Sequence, residues 1–245
     1  MTTCKRSTVR ATRVKWMSRI VWGVFLGFGL LYGDAFSAAR QLLVVQTSGW
    51  SASSGILQRY EKRSDRWQKA GKAIAVKVGK NGLAWGRGLH RIPRGSKRIK
   101  REGDGRAPAG IFRLPYAFGD RALSLSYPCH RMTRRHHCVD DSRSRYYNRI
   151  IDSRSVQKDY SSFEHMKFPS GLYRYGLFVD HNPQRIPGAG SCIFIHIQKK
   201  SGKPTVGCTA MKQPEILGIL KWLDPKKQPL LVQAPRNEIS RLLPF

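Results

Sequence analysis

Apolar residues in this chain fall mostly in short runs: Gln41 to Gln46, Ile111 to Tyr116, Leu172 to Asp180, Cys192 to Ile197 and Leu230 to Gln233. A helix needs roughly 10–12 residues of sustained period and a strand about 4–8, so short runs between turn-rich joins read as strands. Gly55 to Tyr60 and Arg66 to Ala70 read as a hairpin turning at Lys62 to Asp65, with Ala73 to Val78 as a further strand. The exception follows Pro214, where Ile216, Leu217, Leu220 and Leu223 fall on one helical face that Pro225 ends. The pattern predicts a mainly β single domain with few short helices.

The first forty residues obey a different rule. Lys5, Arg6, Arg10, Arg13, Lys15 and Arg19 form a basic stretch, Ile20 to Gly33 is almost wholly apolar, and Ala35 to Ala39 is rich in small residues. That is the order of an export signal, read here as residues 1–39. The apolar run is short against the about 20 residues of a bilayer helix, so cleavage between Ser37 and Leu42 is expected, with an uncleaved anchor as the alternative. Either way residues 40–245 lie outside the cytoplasm, in the periplasm or cell envelope. They suffice for one full hydrophobic core and not for two ordinary domains. Within them Arg87 to Arg106 reads as an exposed Gly/Arg/Lys-rich loop. Residues 123–166 are polar, aromatic and charged without sustained period, as in an insertion or lid.

Lys and Arg number 45 against 15 Asp and Glu, a formal net charge of +30. Such a field attracts polyanions. An exported protein meets lipid headgroups, lipopolysaccharide phosphates and wall carboxylates rather than nucleic acid, and its basic residues form no nucleic-acid-binding motif. An anionic envelope surface is the expected partner; a merely solvated basic surface is the alternative.

Ser191 to Ala210 carries the chemistry. His196 ends an apolar strand, and Cys208 follows a Gly/Pro-rich loop. A thiol becomes a strong nucleophile as a thiolate, most simply beside an imidazole that takes its proton. The loop is long enough to fold back and join the two. Gly207 removes bulk where a substrate carbonyl must approach, leaving the backbone N–H groups of Gly207 and Cys208 as a candidate oxyanion hole. On spacing alone, a core thiol and a satisfied histidine compete with this reading. Thr205 orients the loop or bonds substrate, or else simply ends a turn. Asp180, His181 and Asn182 form a polar cluster at a strand end, either a substrate contact or a turn that satisfies its own backbone. Asp140, Asp141, Tyr146 and Tyr147 read as loop structure within the lid, and Trp85 as core packing.

The segment resembles the catalytic motif of the L,D-transpeptidase family, cysteine enzymes that remodel bacterial peptidoglycan. The family carries a strand-borne histidine and then Ser/Thr-x-Gly-Cys, here His196 and Thr205-Val206-Gly207-Cys208. Gly103 to Phe112 resembles the family's Gly-Asp-Gly-x-Thr-Pro-x-Gly-x-Phe segment, with Ala107 in place of the threonine. Val179 to Pro183 and Gly79 to Gly86 resemble segments of a divergent branch. The best-known members have histidine where this chain has Val206, and often arginine soon after the cysteine, where this chain has Thr209 and Ala210. The spacing from histidine to cysteine is also shorter here.

The resemblance implies a β-sandwich or partly open barrel, with a cleft beside the cysteine and a helix after it. It implies Cys208 as nucleophile and His196 as base, without metal or cofactor, in a monomer. The substrate would be a peptidoglycan stem peptide, cut between its diamino acid and the following D-alanine and passed to an amine. With water as acceptor the enzyme would be an L,D-carboxypeptidase; a catalytically silent, basic wall-binding module is the rival. With Cys4 in the signal and Cys208 kept as a thiol, Cys129 and Cys138 are expected to form a disulfide, leaving Cys192 buried in its strand. A zinc site at Cys129, His130, His136, His137 and Cys138 is disfavoured by Arg131, Arg134 and Arg135.

Overall fold

A computed structural model describes residues 2–3, 33–121 and 123–245. Most of the expected export signal, including its basic stretch, lies outside the described residues. The strands are β1 Thr2–Thr3, β2 Gln41–Thr47, β3 Ser54–Arg63, β4 Arg66–Lys77, β5 Leu83–Trp85, β6 Ala107–Arg113, β7 Ala117–Gly119 and β8 Ser124–Leu125. They continue with β9 Cys129–Arg131, β10 His136–Val139, β11 Ile150–Asp152, β12 Phe163–His165, β13 Tyr175–Phe178, β14 Phe194–Ile197, β15 Thr209–Met211 and β16 Leu230–Pro235. The helices are α1 Gly33–Ala38, α2 Gln213–Trp222 and α3 Arg236–Leu242.

Local chemistry explains most of these boundaries. Ser64 and Asp65 both take positive φ, 45° and 61°, so the β3–β4 hairpin turns through the two-residue geometry that matches strand twist. The apparent break after Ala70 is an irregularity within one strand. Register shifts between Leu57 and Arg59 of β3, and Gly71 of β4 absorbs the extra residues at φ 72°. Thus β4 is continuous where two strands were expected. Helix α2 carries a proline in its first turn and Glu215 near its N-terminus, and it buries Ile216, Ile219 and Leu220.

Among the described residues, eleven strands form one mixed sheet in the order β5-β6-β16-β2-β3-β4-β15-β14-β13-β7-β9. The fold is mainly β and sandwich-like. Leu43 of β2, Val76 of β4, Phe112 of β6, Leu177 of β13, Ile195 of β14 and Leu231 of β16 meet in one core with the buried face of α2. Strand alternation turns Leu42, Val44 and Val232 to the opposite side, where Ala39 and Ile239 cover them. Ala39 is fully buried there, while Ser37, Ala38 and Arg40 of the expected cleavage region are exposed.

Two expected loops are more ordered than their composition suggested. Within Arg87 to Arg106, Lys100 and His90 are buried, and the backbone pairs Trp85 N–H with Arg98 O and Lys100 N–H with Trp85 O. The 123–166 segment contains the antiparallel sheet β11-β10-β12. It is bound to the segment leading into β14 by a disulfide between Cys138 and Cys192, 54 residues apart, with Cα atoms 5.9 Å from each other. This corrects the expected Cys129–Cys138 pairing. Cys129 lies on β9 beside β7 in the main sheet while Cys138 lies on β10 in the separate sheet, and closeness in sequence does not bring two Cβ atoms within bonding reach. Cys192 is therefore a bonded cysteine, and Cys138 has no thiolate to offer zinc.

Candidate active site

Strands β14 and β15 run parallel, with His196 opposite Ala210 and Ile195 opposite Thr209. Paired residues of a parallel ladder face the same way and successive residues alternate. His196 therefore projects to the same side of β14 as Phe194, and Cys208, in the bend just before β15, packs on that side in the cluster that holds Phe194 and Tyr173. On the reverse face the Thr209 hydroxyl donates to Gln233 Oε1 at 2.7 Å, and Gln233 Nε2 donates to Pro108 O at 2.8 Å. These bonds hold the cysteine-bearing strand from behind.

The Cys208 side chain lies among Phe118, Met132, Met166, Tyr173, Phe178 and Phe194, and the Cys138–Cys192 disulfide. Its sulfur accepts from Phe194 N–H at 3.3 Å and donates to Cys192 O at 3.6 Å. With 5 % of its surface exposed, the thiol is covered, and burial pushes its pKa well up. The nearby Glu164 carboxylate pushes the same way, while Phe194 N–H and the Lys100 ammonium oppose both. In this arrangement Cys208 is a neutral thiol.

His196 is buried and its pKa is lowered to about 4, chiefly by desolvation. It is neutral at physiological pH. Nδ1 lies 2.8 Å from Ile197 O and must donate there, which leaves Nε2 with the lone pair a base needs. The thiol hydrogen bonds run to backbone rather than to this imidazole. The structure thus brings the two predicted residues to one face without joining them directly.

Tyr173 bridges them to the 123–166 segment. Its ring meets the His196 ring edge-on at 5.2 Å, and its hydroxyl donates to the Glu164 carboxylate on β12. Burial raises the pKa of Glu164 to about 7. Asn148, also in the lid, accepts from Cys192 N–H at 3.0 Å and donates to His181 O and Asn182 O. Glu102 accepts from Tyr147 and from Ser191 Oγ. None of Glu164, Tyr173, Asn148 or Glu102 was identifiable as a site residue from the sequence. The only trace was the polar, aromatic composition of the segment carrying two of them.

The other predicted site residues divide. Thr205 orients the cysteine loop: its hydroxyl accepts from Gly207 N–H at 3.2 Å and donates to Cys208 O at 2.6 Å. The Gly207 amide, expected in an oxyanion hole, is thus turned to Thr205. His181 and Asn182 are fully enclosed, which corrects their reading as substrate contacts. His181 Nδ1 accepts from Arg87 N–H and Nε2 donates to Ala189 O; Asn182 bonds the backbone of Ile186 and Gly190. Their polar groups are satisfied internally, as the turn alternative requires. Asp180 remains half-buried; burial raises its pKa against the pull of Arg113 and Arg185.

Among the described residues no helix is long and apolar enough to cross a membrane. No protein-family model matches the chain, and no curated protein matches it. A search of solved structures finds "Structure of Bdellovibrio bacteriovorus Bd1075" at 13 % identity and a TM-score of 0.40, covering 81 % of this chain and 49 % of that one. The chain thus spans about half the length of that structure, and a likeness so distant carries no argument about this site.

Proposed function

We propose that the protein is an exported L,D-transpeptidase-type cysteine acyltransferase acting on peptidoglycan stem peptides. The observation that supports this most directly is the packing of Cys208, just ahead of β15, on the side of β14 from which His196 projects toward Tyr173. An idle core thiol needs no basic imidazole lone pair nearby. The motif resemblance around both residues supplies the substrate class.

In the proposed reaction the lid lifts and His196 Nε2 takes the Cys208 proton. The sulfur attacks the carbonyl of the diamino acid, forming C–S as the C–N bond to D-alanine breaks, and the imidazolium protonates the leaving amine. An acceptor amine, deprotonated by His196, then attacks the thioester, and the thiolate leaves and regains the proton. The Cys208 amide, and the Gly207 amide once Thr205 releases it, would hold the oxyanion.

The test combines a carbapenem, as an acylating mimic of the stem peptide, with defined muropeptides. One covalent adduct on the wild-type protein and none on Cys208→Ala, together with cross-linked product, is the expected result. A trimmed stem without cross-link would assign water as acceptor. Absence of adduct and turnover in protein whose Cys208 is accessible to alkylation would leave the basic wall-binding module as the reading.

A further inference from the structure

The tip of the β3–β4 hairpin concentrates positive charge. Arg63 and Arg66 are directly opposed across the turn and Lys69 faces Tyr60, so neither Arg66 nor Lys69 has a carboxylate opposite it in the ladder. Like charges in register disfavour each other and favour an anion that approaches both. Glu61 is shared by Arg63 and Lys227, and Asp65 pairs with Lys62. Arg66 and Lys69 both reach solvent.

Beside these cations the surface is aromatic. Phe245 is 52 % exposed, with its ring 5.1 Å from Tyr60 and 6.0 Å from Trp67. Phe36, Trp67 and Phe245 line a hollow of about 470 Å³ together with Lys62 and Arg66. Phe36 belongs to α1, which begins at Gly33 where the apolar run Ile20 to Gly33 ends. Three residues of helix rise, about 5 Å, separate the end of that run from Phe36.

We infer that the tip of this hairpin seats on an anionic phospholipid bilayer, with Trp67 and Phe245 among the headgroups and with Arg66 and Lys69, which alternation turns to opposite sides of the ribbon, against lipid phosphates on either side. Aromatic rings and long basic side chains are the groups that favour a membrane interface, since each offers an apolar body and a polar end. The net charge of +30 supplies the complementary long-range attraction. If the run Ile20 to Gly33 is kept as the uncleaved anchor, its insertion adds to this attraction, and the attraction of the hairpin itself does not require it. The inference does not depend on the chemistry proposed for Cys208.

The test uses the full-length protein with vesicles of brominated phosphatidylglycerol and phosphatidylcholine, against brominated phosphatidylcholine alone. Trp16 and Trp22 lie in the N-terminal segment, so total quenching does not report on this face. The readout is the part of the emission that disappears in Trp67→Phe. It should be quenched in the anionic vesicles, recover as salt rises, and escape quenching in Arg66→Glu/Lys69→Glu. An unchanged Cys208 alkylation rate in that double variant would show that its fold is intact. A Trp67 signal that stays unquenched, or is quenched equally in both lipids, would overturn the inference, as would failure of the protein to sediment with anionic vesicles.

Discussion

Cys138 on the lid is bonded to Cys192, whose own carbonyl receives the Cys208 thiol at 3.6 Å. The covalent tie between the 123–166 segment and the chain leading into β14 therefore sits one hydrogen bond from the candidate nucleophile.

Cleaving that tie should expose the thiol. Reduction by a dithiol, or Cys138→Ala, is expected to raise the rate at which iodoacetamide alkylates Cys208, about tenfold for each unit by which its pKa falls. The same change should lower stability by roughly 4 kcal/mol on the chain-entropy account of a loop this long. Urea unfolding with and without reductant measures the second effect. A non-reducing peptide map should show Cys138 linked to Cys192, and finding Cys129 in a disulfide would refute the assignment.

Glu164 should act on the thiol through its charge. Ionised, it disfavours a thiolate at Cys208, so Glu164→Gln is expected to shift the pH profile of Cys208 alkylation toward lower pH. Tyr173→Phe keeps the ring beside His196 but loses the bond to Glu164. It should loosen the lid and speed alkylation across the whole pH range. Identical profiles for wild type and Glu164→Gln would remove Glu164 from the site.

Acid should destabilise the fold through buried neutral histidines. Burial lowers His90 and His196 to about 4 and His181 to about 3. A depressed pKa contributes stability that is complete above the unfolded value, near 6.5, and is lost as pH falls toward the folded values. The urea midpoint is therefore expected to drop between about pH 6.5 and 4. At the other end the raised Cys208 pKa contributes stability below the unfolded thiol value of about 8.5, lost above it. Cys208→Ala should flatten that alkaline decline, and a slope unchanged by the substitution would place the thiol in solvent.

Thr205→Val should release both the Gly207 amide and the Cys208 carbonyl, costing about 1–2 kcal/mol. If the hydroxyl presets the loop, carbapenem acylation slows in Thr205→Val and returns in Thr205→Ser. Acylation that is unimpaired in Thr205→Val and slowed in Thr205→Ser would point to the methyl group instead.

Much of the fold was legible because strands and the α2 helix are set by local period and by where prolines stand. Gln41–Thr47, Leu230–Pro235 and Gln213–Trp222 carry their own signals of apolar alternation or stripe. The continuous β4 was not legible, since only pairing with β3 turns Gly71 from a break into an irregularity within a strand. Helix α3 escaped notice as well: it is short and opens directly from Pro235, the last residue of β16.

The sequence by itself determined which residues could do thiol chemistry, because reactivity belongs to residue type and the Thr205–Cys208 turn is local. Only the tertiary structure decided the partners. Whether Cys138 meets Cys129 or Cys192, whether His181 faces substrate or is sealed inside, and which carboxylate lies near Cys208 all depend on positions far apart in the chain. Burial and mutual orientation belong to the packed sheet, so the spacing of residues along a strand cannot carry them.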